Sequence, residues 1–330
     1  MNMTTNRNSN WNKYFFGIIQ THYSKPWDWN RLSCNPNITW DIVVAYPDKP
    51  WNWYGLSKNP NITMDIVAAN LDKPWSWGDG LSGNPNITWE FMEANLDKPW
   101  NWDALSCNPN ITLKIVEANP DKPWDWFGLS ENLNITWEIV DANPDKPWNW
   151  VGLGLNPNIT IDIVSINPDN IWNWTVLSQN PNITMDVVEA NPDKPWNWDA
   201  LSWNSIITWE FVEANPDKPW NWFFLSKNTN ITMDIVVANP DKPWDWNGLS
   251  FNPNITWVII EAYPDKPWDW GRLSCNRFTK EKEMFELRVK HQRFVQENLF
   301  DEFVKAYMHP TRINKLLSMG YSFDELDELL

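Results

Sequence analysis

The stretch NITWEIVDANPDKPWNWVGL at residues 134–153 contains the pattern on which most of the chain is built. Its first half predicts a short helix, because Thr136 is a favourable N-cap and Glu138 places negative charge in the first turn, where the helix dipole stabilises it. The helix should end at Asn143, since the residue before a proline avoids the α region. A helix of about seven or eight residues is too short to be stable alone, so neighbouring segments must support it.

The second half of this stretch predicts another short helix. We expect Asp145 to cap it and Pro147 to lie in its first turn, where the missing N–H does no harm. Pro147, Trp150 and Leu153 are three residues apart, which is the period of a 3₁₀ turn, and an α turn is equally compatible with the sequence. Two prolines in each unit exclude central β-strands.

The pattern recurs with a period of 24 residues. The single step of 25 residues contains Gly78-Asp79-Gly80, and we expect the extra residue to lie in a loop, where insertions are tolerated. No unit can bury its apolar face alone, so the repeats predict a quasi-linear, all-α solenoid with one continuous core and two ends. The tripeptide Trp-x-Trp begins at Trp27, Trp51, Trp75, Trp100, Trp124, Trp148, Trp172, Trp196, Trp220, Trp244 and Trp268.

The repeat resembles the leucine-rich repeat variant family in its alternation of Asn-Pro-x-x-Pro-x-x-(apolar)-x-x-Leu with a short helix that ends in Ala-Asn-Pro. Units of that family combine an α-helix with a 3₁₀ helix in a right-handed superhelix, and Trp150 and Leu153 stand where the family has a leucine pair. The resemblance implies an all-α, right-handed α-solenoid of about eleven 24-residue units. The family's best-known member has an N-terminal cysteine cluster for an iron–sulfur centre. This chain has no such cluster, so we expect no cofactor.

The segments NPNITWE and PDKPWNW are also similar to Trp-rich 24-residue tandem repeats in proteins of giant viruses of amoebae. This similarity covers about residues 24–276 and implies a virus-encoded repeat protein, without indicating an activity.

Composition divides the chain into three regions. Residues 1–23 are a degenerate unit, in which the segment from Trp11 to Tyr23 replaces the Asn-Ile-Thr helix, and we expect them to cap the solenoid. Residues 24–276 contain the repeats. Residues 277–330 contain no tryptophan and predict a helical C-terminal module.

The C-terminal module begins with a predicted amphipathic helix over 279–307, in which Val295, Leu299, Phe303 and Tyr307 recur every four residues. An apolar solenoid end needs a cover, so we expect this helix to pack against the last unit through Phe300 and Phe303.

Charge and hydropathy exclude several classes of partner. The chain has 26 Lys and Arg against 42 Asp and Glu, a net charge of −16, so nucleic acid is not an expected partner. No apolar run approaches the roughly 18 residues that span a bilayer, so we expect no membrane association. Without an apolar N-terminal segment or more than three cysteines, we expect an intracellular protein. The resemblance to giant-virus proteins implies that its location is the host cytoplasm or the virion.

Catalytic and metal-binding motifs are absent from the sequence. Neither the histidines nor the cysteines have the spacing of a metal or nucleophile motif, and the chain offers near-copies of one scaffold instead of one asymmetric group of residues. We therefore expect no enzyme activity, no metal and no cofactor. The cysteines occupy equivalent positions three and seven units apart, and an open array would separate them by far more than a disulfide allows. The histidines of the chain are His22, His291 and His309, and the cysteines are Cys34, Cys107 and Cys275.

The tryptophan pairs have two interpretations. Exposed tryptophans could bind sugars, proline-rich peptides or cations, whereas buried ones would form the core. We expect the second Trp of each pair, such as Trp150, to be in the core. The first, such as Trp148, should pack between units, with a ligand-facing role as the alternative.

The predicted first helix has an acidic residue at its second position in most units, and in several units another acidic residue follows three positions later, on the same helical face. Stacking would align them as an acidic ribbon, which is either a solvated face or a docking strip for a basic protein. Our preferred function is a non-enzymatic scaffold for protein–protein interaction, and the alternatives are a structural or particle-associated protein or a ligand-binding protein. The acidic ribbon consists of Asp41, Asp65, Glu90, Glu93, Glu138, Asp141, Asp186, Glu189, Glu210, Glu213 and Asp234.

Overall fold

A computed structural model describes residues 3–167 and 171–294 of the chain, with side chains from residue 11 onward. All regular structure in these residues is helical, without a strand. The chain forms two compact units, Met1–Lys280 and Glu281–Leu330. The first begins with a long helix, Met3–Thr21, which we call the N-terminal helix.

Two series of short helices alternate after the N-terminal helix. A helices follow the Trp-x-Trp tripeptides, and B helices follow the Asn-Ile-Thr segments. The A helices are Trp29–Cys34, Trp53–Lys58, Trp77–Leu81, Trp102–Ser106, Trp126–Glu131, Trp150–Leu155, Trp174–Leu177, Trp198–Trp203, Trp222–Lys227, Trp246–Phe251 and Trp270–Cys275. The B helices are Trp40–Ala45, Met64–Ala69, Trp89–Glu93, Leu113–Ala118, Trp137–Ala142, Ile161–Ile166, Met185–Ala190, Trp209–Ala214, Met233–Ala238 and Trp257–Ala262.

The B helices begin and end where the sequence predicts. Thr136 is the N-cap of Trp137–Ala142, and Asn143 ends the helix in a non-helical conformation (φ −130°, ψ 59°) before Pro144. The Nδ2 of Asn143 donates to the carbonyl oxygen of Ile139 at 2.8 Å, so it satisfies one of the acceptors left open at the helix end.

The A helices begin later than predicted, and Asp145 is not a cap. Trp150 is the first helical residue, and its N-cap is Asn149, whose side chain accepts from the backbone N–H of Val151 and Gly152. The reason is Pro147, which keeps the preceding residue out of the α region, so the chain reaches the second Trp in an extended conformation before it can turn.

The extra residue of the 25-residue step lies inside an A helix, so the prediction of a loop insertion is wrong. Trp77–Leu81 is a π-helical turn, in which the backbone N–H of Leu81 donates to the carbonyl oxygen of Ser76 at 2.7 Å. The wider turn keeps Leu81 and Ser82 buried like their counterparts in other units. A π turn absorbs one residue without moving either helix end, whereas a longer loop would shift the register of the next unit.

Polar side chains join each unit to the one before it. In the middle of the chain, the Nδ2 of Asn156 donates to the carbonyl oxygens of Ser130 (2.9 Å) and Asn132 (3.0 Å). The hydroxyl oxygen of Ser130 accepts from the backbone N–H of Asn149 at 2.9 Å. These groups are buried, and every fully buried side-chain nitrogen or oxygen in the described residues has a partner. Each joint is therefore specified by directional hydrogen bonds as well as by apolar packing.

The first unit makes the same contacts with the last. The Nδ2 of Asn35 donates to the carbonyl oxygens of Ser274 (2.9 Å) and Asn276 (3.0 Å). The hydroxyl oxygen of Ser274 accepts from the backbone N–H of Asp28 at 2.8 Å. These residues are more than 200 positions apart in the sequence, whereas the equivalent bonds elsewhere join residues 19 to 27 positions apart. The repeats therefore form a closed ring within Met1–Lys280.

The prediction of a quasi-linear solenoid with two ends is thus wrong, and the packing explains why. Consecutive A helices pack directly against each other, so closely that a Cβ on Gly152 would lie 2.6 Å from the carbonyl oxygen of Phe127. The B helices lie farther from one another, so each joint turns the chain in the same sense. The turn accumulates until the first unit meets the last.

The N-terminal helix supplies the B helix that the last unit would otherwise lack. Phe16 lies 6.0 Å from Trp51 between ring centroids, which is the contact that the first residue of a B helix makes elsewhere, as between Trp137 and Trp172 at 6.2 Å. Ile19 is fully buried, like the valines of the B helices. The last unit therefore combines the A helix Trp270–Cys275 with the N-terminal helix, which come from opposite ends of Met1–Lys280.

The second compact unit contains most of the helix Thr279–Phe294. Within it, Arg288 forms an ion pair with the buried Glu281 at 3.6 Å. The predicted continuation from Val295 to Tyr307, and the predicted contacts of Phe300 and Phe303, lie outside the described residues.

Candidate interaction surfaces

The tryptophan pairs form a continuous ladder around the ring. The second Trp of one unit meets the first Trp of the next edge to face, as Trp150 meets Trp172 at 5.1 Å and 85°. The same T-shaped contact crosses the closing joint, where Trp270 meets Trp27 at 5.2 Å and 84°. Such pairs add about 0.5–1.5 kcal/mol each beyond their buried area, so the ladder stabilises every joint.

In five units the first Trp of the pair is buried, namely Trp27, Trp75, Trp100, Trp220 and Trp268. The second Trp is half-buried in every unit, contrary to the prediction that it forms the core, and in the other six units both are half-buried. Trp75 is 5% exposed, whereas Trp150 is half-buried and packs at the margin of the core formed by Ile135, Val140 and Leu153. The indole N–H of Trp75 donates to the carbonyl oxygen of Asn70 at the end of the preceding B helix, and the first Trp of other units makes the equivalent bond, as Trp148 does to Asn143. This bond holds the first Trp between the two helix layers.

Lysines cover several of the half-buried tryptophans. The Nζ of Lys98 lies 5.4 Å from the ring centroid of Trp77, and that of Lys194 lies 4.8 Å from Trp174. One surface cavity of about 530 Å³ lies between Trp148, Trp150, Ile171 and Trp174, in a unit whose sequence has Asn170 where most units have lysine.

The acidic residues of the B helices are exposed at every position that the sequence analysis named. All eleven members of the acidic ribbon are exposed, and none forms an ion pair with a Lys or Arg of the described residues. The hydroxyl of Thr136 lowers the pKa of Glu138, and backbone and Thr208 hydrogen bonds lower that of Glu210. Both carboxylates are therefore charged well below neutral pH.

The acidic residues of the turns differ from those of the ribbon. Asp97 pairs with Lys98 at 2.8 Å and Asp121 with Lys122 at 3.2 Å, and these lysines lower the pKa of both carboxyl groups. These turn carboxylates thus have a neighbouring countercharge, which the ribbon carboxylates lack among the described residues.

A second surface was missed by the sequence analysis. Counted from the second Trp of each pair, the second and sixth residues are exposed or half-buried in every unit except that of the π turn, where the sixth residue is the buried Ser82. The two positions share one face because they are four residues apart. These are the positions at which the units differ most, whereas the Leu and Asn of each unit are nearly constant. A comparison of the repeats column by column would have revealed this surface. Its members at the sixth position include Lys58, Cys107, Glu131, Trp203, Lys227 and Phe251.

Ring closure changes the interpretation of the cysteines. Cys34 and Cys275 lie at the same helix position of neighbouring units, so the prediction that all three cysteines are far apart is wrong for this pair. Burial raises the pKa of both thiols, and that of Cys107 rises to about 11 through burial and the nearby Glu131 and Asp125. The thiols are therefore protonated at neutral pH, the opposite of what a nucleophilic cysteine requires.

His22 lies in the closing joint. Its ring packs on Trp257 at 4.5 Å, and its Nε2 lies 3.8 Å from the carboxylate of Glu261. It links the end of the N-terminal helix to the last B helix and has a structural role.

The described residues contain no cluster of three or more His, Cys, Asp or Glu side chains that could hold a metal ion. Likewise, none of their helices is long and apolar enough to cross a membrane. The chain matches no protein-family model. No curated protein and no solved structure matches it either.

Proposed function

We propose that this protein is a non-enzymatic interaction scaffold, whose B helices bind a basic partner protein through the acidic ribbon. The observation that carries the proposal is that eleven exposed carboxylates have no lysine or arginine partner in the part of the chain that the structure describes. Unpaired charge of one sign, repeated at equivalent positions, attracts a partner of opposite charge and increases its association rate.

The ring contributes rigidity to this surface. Every joint is fixed by buried hydrogen bonds and by a pair of tryptophans, so the spacing between the carboxylates of successive units changes little. A preorganised surface loses less conformational freedom on binding than a flexible acidic segment would.

The proposal includes the finer expectations drawn from the two resemblances. These are the right-handed sense of the repeats, their number of about eleven, a virus-encoded origin, and a location in the host cell or the virion. A structural role in a particle is the alternative, and a self-association that persists after charge reversal of the ribbon would support it.

A charge-reversal experiment tests the proposal. The variant Asp186→Lys, Glu189→Lys, Glu213→Lys reverses three exposed ribbon residues that lie outside the core. We expect a fluorescent oligolysine peptide to bind it at least about tenfold more weakly than the parent chain. Binding to the parent should also weaken between 0.1 M and 1 M salt, because the Debye length falls from about 10 Å to about 3 Å.

A matched control separates the ribbon from net charge. The variant Asp193→Lys, Asp217→Lys, Asp241→Lys makes the same change of charge in the turns, at positions that are equally exposed. We expect it to retain most of the binding. If the two variants lose affinity equally, only net charge matters and the ribbon is a solvated face.

A further inference from the structure

One tryptophan differs from all the others. All 29 tryptophans lie in the described residues. Trp203 is 49% exposed, whereas each of the others is buried or half-buried. It occupies the sixth position of an A helix, and it is followed by Asn204, Ser205 and Ile206 where most units have Asn-Pro-Asn. This atypical unit thus presents a large flat apolar surface to solvent.

Two cations surround the aromatic side chains next to Trp203. The Nζ of Lys227 lies 4.0 Å from the ring centroid of Trp203 and 5.0 Å from that of Phe251. The guanidinium carbon of Arg272 lies 4.8 Å from Phe251 and 5.0 Å from Phe223. These five residues come from four consecutive A helices, and we call them the aromatic–basic patch.

One of the two positive charges of this patch has no carboxylate partner among the described residues. Arg272 pairs with Asp269 at 3.2 Å, but Lys227 forms no ion pair with a carboxylate of the described residues. Burial and the nearby Arg272 lower the pKa of Lys227, which means that its charged form is disfavoured where it stands. In a chain with 42 acidic residues, two adjacent cations over one aromatic ring are an arrangement that an added anion would stabilise.

A purely structural role explains less of the arrangement. Cation–π contacts alone would account for one cation on each ring, as Lys58 lies on Tyr54 at 4.5 Å. They do not account for a second cation on Phe251, nor for the exposure of Trp203.

We propose that the aromatic–basic patch binds an acidic peptide segment that carries an aromatic or large apolar side chain. A carboxylate of the peptide would be placed between Lys227 and Arg272, and its apolar side chain would lie on Trp203. A polyanion such as nucleic acid is disfavoured, because its continuous charge would meet the negative field of the remaining ring. This site is distinct from the acidic ribbon, since it has the opposite charge and lies on the A helices.

Binding of synthetic peptides to the full-length protein tests this proposal. The probe is a fluorescein-labelled peptide of alternating glutamate and phenylalanine, followed by fluorescence anisotropy. We expect saturable binding that weakens at least about tenfold when glutamine replaces glutamate, and also when serine replaces phenylalanine. Equal binding of the glutamine peptide, tighter binding of a single-stranded oligonucleotide, or no binding at millimolar concentration would each overturn the proposal.

Two variants locate the site. Lys227→Met removes the charge and keeps an apolar side chain, so affinity should fall at least about tenfold. Lys58→Met is the matched control, because Lys58 has the same helix position and also lies on an aromatic ring, and it should leave affinity unchanged. Equal affinities of parent and Lys227→Met chains would contradict the assignment. If Lys227→Met fails to fold, the comparison of glutamate and glutamine peptides on the parent chain still decides the question.

Discussion

The closing joint of the ring and a joint in the middle of the chain contain the same interactions. Asn35 donates to two carbonyl oxygens across the closing joint at 2.9 and 3.0 Å, and Asn156 donates to its two equivalents at the same distances. The edge-to-face tryptophan contact is 5.2 Å in both places, between Trp27 and Trp270 and between Trp126 and Trp148. One joint is crossed by the polypeptide and the other is not, so side-chain contacts and not covalent continuity determine the geometry.

Some joints inside the chain are weaker than the closing joint. Asn204 donates to one carbonyl oxygen of the preceding unit, that of Asn180, at 3.3 Å. In another unit, Gly154 replaces the serine whose hydroxyl accepts from the next unit. We therefore expect the ring to open first at an atypical unit of the repeat, and not where the chain begins and ends.

Cross-linking should reveal the largest difference between a ring and an open array. With about 8–10 Å between packed helices, Cys34 and Cys275 lie one unit apart in the ring, whereas ten units, or roughly 80–100 Å, would separate them in an open solenoid. A short bis-maleimide should therefore join them within one molecule. The cross-linking reaction needs a mildly alkaline pH, because burial raises the pKa of both thiols. Mass spectrometry of the digested protein then identifies the cross-linked peptides.

The cysteine variants supply the controls for that experiment. Cys107→Ser should leave the cross-link intact, and Cys34→Ser should abolish it. Cross-links formed only between molecules would show that the ring is open in solution.

Core truncations should show that the last unit is as stable as a central one. Leu153 and Leu273 are both fully buried, at the same position of their A helices. Leu→Ala at either site should cost about 2–5 kcal/mol of unfolding free energy, with the two values within about 1 kcal/mol. Urea unfolding measures both. A frayed terminal unit would instead make Leu273→Ala nearly neutral.

Removing the amide at a joint should have a smaller effect that follows the number of bonds lost. Asn35→Ala and Asn156→Ala each leave two or more buried carbonyl groups without their donor, so each should cost about 1–3 kcal/mol. Asn204→Ala removes one long bond to the preceding unit and should cost less than about 1 kcal/mol. If Asn35→Ala were as mild as Asn204→Ala, the closing joint would be the weak one.

Adding the missing hydroxyl should stabilise the ring slightly. Gly154→Ser supplies an acceptor for the backbone N–H of Asn173 and replaces glycine within a helix, for a gain of about 1 kcal/mol. A new Cβ would lie 3.3 Å from the Cγ1 of Val176, a contact that a small shift of this side chain relieves. The variant Gly154→Ala isolates the hydroxyl, because it makes the same change of helix propensity and the same Cβ contact without adding an acceptor. Thermal unfolding of the three chains measures the effect, and a lower melting temperature for the serine variant than for alanine would contradict it.

The two candidate surfaces differ in how far the sequence could predict them. The acidic ribbon follows from local spacing, since Glu210 and Glu213 lie three positions apart on one short helix. The aromatic–basic patch does not, because Trp203, Lys227 and Arg272 come from different helices and each departs from the repeat in a different way. Their proximity depends on the distance between neighbouring A helices.

The sequence by itself determined the period, the alternation of two short elements and the limits of the B helices. Those limits follow from local chemistry, namely a threonine that caps and an asparagine–proline pair that stops the helix. The π turn at Gly78-Asp79-Gly80, the start of each A helix and the depth of each tryptophan were decided by packing between units. Closure was decided only by the whole tertiary structure. Each joint turns the chain by a small angle, and these turns add up to a ring only when every unit contributes one.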